Sequence, residues 1–96
     1  MPINLKIITP EGTYIDNVPV DWVNVQTNAG EMTIYPRHAQ LVSTLKIGTI
    51  KFTNEQGLKY IHVHRGILQV TKDQVKILTQ WLYEIDAKGK KIGPKK

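Results

Sequence analysis

The sequence predicts an all-β fold, a two-sheet antiparallel sandwich of about ten short strands with a short basic C-terminal tail. Three observations predict it. Val, Ile, Thr, Tyr and Trp recur in short runs, as suits pleated, half-buried surfaces. Turn residues punctuate those runs at short, regular intervals. No apolar period of 3.6 residues persists between them, so helical crossovers are not expected.

The elements follow in order. Leu5, Ile7 and Thr9 alternate with Lys6 and Ile8, and Pro10-Glu11-Gly12 then turns the chain. A short run covers Thr13–Ile15. Val18-Pro19-Val20 places a proline inside an apolar run, which requires an edge or a bulge because proline donates no ladder hydrogen bond. Trp22–Thr27 alternates, with Val23, Val25 and Thr27 on one face, and Asn28-Ala29-Gly30 is a turn. Met32–Tyr35 ends at Pro36. Leu41–Ile47 is apolar and ends at Gly48. Thr49–Thr53 and Leu58–Arg65 flank the hairpin loop Asn54-Glu55-Gln56-Gly57. Ile67–Thr71 and Gln74–Leu82 flank a second hairpin at Lys72-Asp73. The 96 residues make one domain over positions 1–86, with a flexible lysine-rich tail at 87–96.

Composition excludes several function classes. There is no cysteine, hence no disulfide scaffold, thiolate zinc site or cysteine nucleophile. No apolar run is long enough to span a bilayer, and Met1-Pro2-Ile3-Asn4 lacks a signal-peptide pattern, so a soluble cytoplasmic protein is expected. The net charge of +5 resides in Lys88, Lys90, Lys91, Lys95 and Lys96. Acidic and basic residues balance in the rest of the chain, which speaks against a basic nucleic-acid-binding face.

No catalytic constellation is legible. The single serine, Ser43, lies in an apolar run without an adjacent base. The glycines are scattered one per turn and form no phosphate-cradling loop. His62 and His64 share a strand face at i, i+2, but a metal site needs a third ligand, so they are read as surface histidines. Trp22 and Trp81 are read as core or interface fillers rather than as a binding platform. No cofactor or metal is expected.

The order of motifs is more specific. Ala29-Gly30-Glu31-Met32-Thr33-Ile34-Tyr35-Pro36-Arg37-His38-Ala39-Gln40-Leu41 resembles the Glu-Gly-Glu … Ile-Tyr-Pro-Gly-His-Ala-Pro-Leu segment of the epsilon subunit of F-type ATP synthases. Thr9-Pro10-Glu11-Gly12 resembles that family's opening turn, and Leu45-Lys46-Ile47-Gly48 its Lys-Pro-Gly turn. Gly66-Ile67-Leu68-Gln69-Val70 resembles its Gly-Gly-x-Leu-Glu-Val strand. Val75-Lys76-Ile77-Leu78, followed by Ile85-Asp86, is similar to the close of its N-terminal domain.

The resemblance implies a flattened sandwich of two five-stranded sheets with no active site. It implies a non-catalytic subunit at the foot of the rotating central stalk, bound to the gamma subunit and the c ring and only indirectly to the alpha/beta catalytic head. Such a subunit couples rotation with ATP synthesis or hydrolysis, at the cytoplasmic face of the cell membrane, and meets the membrane only through the complex. By the same resemblance Asn28, Gly30 and Glu31 face the c ring, and Tyr35, Pro36, Arg37, His38 and Ser43 face gamma. The family chain continues as a two-helix regulatory arm, whereas ten residues follow Asp86 here, so neither autoinhibition nor ATP sensing is expected.

Departures from the family pattern are Arg37 for glycine, Gln40 for proline, Arg65 for the first glycine of Gly-Gly, and Thr79-Gln80-Trp81 for Ala-Asp-Thr. They leave open a diverged F-type-like ATPase motor without the usual c-ring contact. A small β-barrel module that binds nucleic acid or lipid through its basic tail is the alternative of another class.

Overall fold

A computed structural model describes residues 3–37 and 39–86. Its strands are β1 (Ile3–Thr9), β2 (Gly12–Val20), β3 (Trp22–Thr27), β4 (Gly30–Ile34), β5 (Leu41–Leu45), β6 (Gly48–Asn54), β7 (Gly57–Val63), β8 (Gly66–Val70), β9 (Gln74–Thr79) and β10 (Leu82–Ile85). The lysine-rich segment 87–96, on which the tail expectation falls, lies outside the described residues.

One hydrogen-bonded sheet curls on itself in the order β10-β7-β6-β3-β5-β8-β9-β1-β2, with β4 on the free side of β3. It reads as two five-stranded layers, β4-β3-β6-β7-β10 and β5-β8-β9-β1-β2. They are joined at the single pair Thr27–Leu45. The sandwich expected from the sequence is therefore present, with its layers continuous at one corner. All pairings are antiparallel except β1 with β9, where residues 4–8 run parallel to residues 74–78.

Strand alternation builds the core. Ile3, Leu5 and Ile7 of β1 point inward, as do Val23 and Val25 of β3, Ile50 and Phe52 of β6, Leu68 and Val70 of β8, and Val75 and Ile77 of β9. Burying each such side chain contributes about 1.5–3 kcal/mol before chain entropy is subtracted. Pro19 lies on the outermost strand β2, and register shifts beside Leu5 and Ile7 mark irregular pairing there. The edge, one of the two alternatives read from the proline, is found: Pro19 pairs in register with Asn4 on the outermost strand, and the irregular pairing lies further along β2.

Two local expectations change. The Gln74–Leu82 run is two strands: β9 stays in one layer, and after Gln80-Trp81 the chain enters the other as β10, paired with β7. The Asn54–Gly57 loop is tighter than read, because Asn54 and Gly57 themselves pair and only Glu55-Gln56 turn.

The register fixes the two ends of the sandwich. The turns at 10–11, 28–29, 46–47, 64–65 and 80–81 lie at one end, next to the row Thr27–Leu45–Gly66–Thr79. Residues 35–37 and 39–40 and the turns at 55–56 and 71–73 lie at the other.

Candidate functional site

The first end is built on a threonine turn. Thr27 Oγ1 donates to the Gly30 carbonyl at 2.8 Å and accepts from the Ala29 amide at 3.1 Å. Gly30 takes φ +124°, a backbone conformation that side chains rarely allow. Asn28 is tied across to β5, its amide donating to the Thr44 carbonyl at 3.2 Å and its side chain to the Thr44 hydroxyl. Glu31 follows, exposed, and accepts at 3.0 Å from Asn24 Nδ2. Asn24 is only 5% exposed; its Nδ2 also donates to Thr33 Oγ1 at 2.8 Å, while its Oδ1 has no partner among the described residues. The turn thus presents an exposed carboxylate held from behind by a buried amide.

The expected gamma-facing residues divide. Tyr35, 58% exposed, with Pro36 and Arg37 (φ 69°), lies at the opposite end from Glu31. His38 lies outside the described residues. Ser43 sits mid-strand on β5, opposite Leu68, its hydroxyl donating to the Thr44 carbonyl at 3.3 Å. Its inward row contains buried Leu45, so the residues that β5 turns outward are Val42 and Thr44. The structure keeps Asn28, Gly30 and Glu31 together, separates them from Tyr35–Arg37, and sets Ser43 between.

An apolar outer face was not anticipated. Ile67 pairs with Leu78, and Leu78 with Ile8, on the outside of the β5-β8-β9-β1 layer. Ile67 is 45% exposed and Leu78 37%, and Val42, 71% exposed, stands on the neighbouring strand. The signal was available as doubled apolar residues, Ile7-Ile8, Leu41-Val42, Ile67-Leu68 and Ile77-Leu78, each at a place where a half-solvated strand would carry one polar residue.

Two more features stand out. His62 and His64 belong to an aromatic cluster with Trp81 and Tyr83. Tyr83 stacks on His62 at 4.8 Å, and Trp81 meets His64 edge-on at 4.6 Å. Desolvation first, and the neighbouring His64 second, lower the His62 pKa, which favours the neutral ring. No group of three metal-ligating side chains occurs among the described residues. The second feature is an open cleft of about 790 Å³ between the outer strands β2 and β10, lined by Ile15, Val18, Phe52, Leu58 and Ile85 among others. Tyr14 and Glu84 bridge its mouth.

Comparison with known proteins gives a consistent result. Residues 2–84 match the family described as ATP synthase, delta/epsilon chain, β-sandwich domain. An ATP synthase epsilon chain of Staphylococcus aureus is 38% identical over 78 residues, covering 81% of this chain and 58% of that relative. This chain therefore spans little more than half the length of the relatives it matches. A chain in the cryo-EM structure of Euglena gracilis mitochondrial ATP synthase that includes the c-ring superposes with a TM-score of 0.82. It is 24% identical and covers 91% of this chain and 57% of its own. A chain from the central stalk and c-ring of Tetrahymena thermophila mitochondrial ATP synthase gives a TM-score of 0.72 at 18% identity, covering 86% of this chain and 66% of its own. At those identities the two structures speak for the fold.

Proposed function

This chain belongs to the ATP synthase delta/epsilon chain β-sandwich family, and from that premise we propose that it is a non-catalytic epsilon-type subunit of the central stalk of an F-type rotary ATPase. It binds the gamma subunit and the c ring and couples rotation to ATP synthesis or hydrolysis, at the cytoplasmic face of the membrane. The observation that carries the reading is the separation of the two expected contact groups. Glu31 and its turn occupy one end of the sandwich, and Tyr35–Arg37 occupy the other.

A body that links a ring to a shaft needs two such surfaces and stiffness between them. Interlocked layers supply the stiffness, because side chains from both faces fill one close-packed core. The ring-facing end offers the Glu31 carboxylate, placed by Asn24, to a cationic loop. The gamma-facing surface runs from Tyr35–Arg37 along the outward residues of β5, and the exposed apolar row of Val42, Ile67 and Leu78 extends it; the expected contacts His38 and Ser43 lie, respectively, outside the described residues and on the inward row of β5. Apolar area with few charges suits the centre of a lasting protein interface.

The test is affinity purification of the tagged full chain from its own cells in mild detergent, with all co-purifying chains identified. Recovery of alpha, beta, gamma and c subunits supports the proposal. A catalytic head and gamma-like shaft without the ring would point instead to a specialised ATPase motor. Recovery of neither refutes the reading.

A further inference from the structure

The end of the sandwich that carries Glu31 also carries side chains that the family resemblance does not assign. Gln26 pairs with Glu31, and its carbonyl accepts from the Lys46 amide at 3.1 Å. A Cβ added to Gly48 would lie 3.1 Å from the Gln26 side chain, so β6 begins beside that pair. Gly48 pairs with Val63, and Val63 with Leu82. One residue past this row come Ile47, His64 and Trp81, side by side. From Glu31 the band therefore runs through Lys46-Ile47 to His64-Arg65 and Trp81.

This band is exposed, and its backbone and Trp81 are held in place. Ile47 is 53% exposed and Trp81 51%, and Arg65 is exposed and makes no ion pair within 4 Å of a described acid. Trp81 is braced edge-on by His64 at 4.6 Å and by Tyr83 at 5.4 Å. The backbone beneath is pinned. Thr79, 4% exposed, brings its hydroxyl within 3.0 Å of the His64 carbonyl, 3.4 Å of Arg65 and 3.2 Å of Trp81. Gly66 packs so tightly that a Cβ there would lie 2.0 Å from the Leu78 carbonyl oxygen. A held side chain such as that of Trp81 loses little entropy on docking, and Trp and Arg are enriched among the residues that dominate interfaces.

We propose that Ile47, Arg65 and Trp81 form the second half of the contact that Glu31 begins, an apolar-cationic patch that docks on the c ring. The inference rests on the ring-binding reading above. Charge order sets the chemistry of the partner. It must place a cation opposite Glu31, an apolar surface opposite Ile47 and Trp81, and a carboxylate opposite Arg65. Two opposite charges at separated points of one rigid band also fix orientation, since a partner docked in reverse would meet like charges.

The experiment compares full-length chains carrying Trp81→Ala, Trp81→Phe, Arg65→Glu or Glu31→Lys, each assembled in its own cells and purified through tagged gamma. Ring recovered per gamma is read across a salt series. Trp81→Ala is expected to lower ring recovery about 10-fold at every salt concentration, with Trp81→Phe restoring most of it. Arg65→Glu is expected to lower it at low salt, with the loss shrinking as screening rises. If both Trp81→Ala and Arg65→Glu keep wild-type recovery while Glu31→Lys loses the ring, the second patch is refuted and the ring reading stands. If the wild-type complex yields no ring, both fall.

Discussion

Tyr14 on β2 donates a hydrogen bond to the carboxylate of Glu84 on β10, so the two terminal strands of the ten-stranded order meet across the open side of the sandwich. No backbone ladder closes that side among the described residues, and the side-chain bond spans the mouth of the cleft instead. Burial first, and the adjacent Glu84 second, push the Tyr14 hydroxyl well above its usual value of 10.0.

The sign of the pH effect follows. The folded chain keeps the Tyr14 proton at a pH where the unfolded chain releases it, so this contribution to stability is full below pH 10 and declines as pH rises beyond it. Tyr14→Phe should cost about 0.5–1 kcal/mol at neutral pH, given the partial exposure of both groups. Urea unfolding of the two chains should show that gap narrowing above about pH 10. A constant gap would mean that the folded chain does not hold the Tyr14 proton more tightly than the unfolded one.

Gly66→Ala should be the most damaging single-methyl change. Its Cβ would meet the Leu78 carbonyl oxygen at 2.0 Å, and backbone cannot move aside as a flexible side chain can. A loss of about 2–3 kcal/mol is expected by denaturant unfolding. A change under about 0.5 kcal/mol would show that β8 and β9 can separate without cost.

Asn24→Val separates stability from binding. The change removes two hydrogen bonds, to Glu31 and Thr33, but also an acceptor that has no partner among the described residues. These effects oppose each other at about 1 kcal/mol each, so stability should stay within about 1 kcal/mol of wild type. If Glu31 docks on the ring as proposed, the freed carboxylate should nonetheless hold it less well. Ring recovery equal to wild type would mean that Glu31 does not bind the ring or does not depend on Asn24 for its placement.

Ile67→Glu probes the outer face. A carboxylate there stays solvated in the free chain, because Ile67 is already 45% exposed, and folding should change by about 0.5 kcal/mol or less. Docked against an apolar gamma surface it would be desolvated and unpaired, and co-purification with gamma should fall. Gamma recovered in full would move its contact away from the Val42–Ile67–Leu78 row.

Much of this architecture was legible residue by residue. Thr9-x-x-Gly12 and Thr27-x-x-Gly30 are one device, a threonine hydroxyl closing a two-residue turn, and both appear in the sequence as turns. Pro19 announced an edge or a bulge, and it lies on an edge strand. The corner at Gln80-Trp81 was not legible, because the apolar run continues through it. The break depends on Thr79 reaching carbonyls on another connection and on β7 accepting β10 as a neighbour. The candidate surfaces divide in the same way. Exposure of Glu31 followed from its turn, but its placement by Asn24, and its sharing of one end with Trp81 and Arg65, depend on strand pairings distant in sequence. The outer apolar row was written as doubled residues and passed over, because each pair also satisfies an ordinary buried strand.

The parallel pairing of β1 with β9 dictates the order of events when the chain forms. Residues 4–8 find their second neighbour only in residues 74–78, so an N-terminal strand remains half-paired until nearly the whole domain has left the ribosome. Until then the β1–β2 hairpin shows Ile3, Leu5 and Ile7 to solvent, residues that end almost wholly enclosed. Long-range closure of this kind is slow compared with local pairing. The newly made chain is therefore most open to aggregation before its last strands arrive.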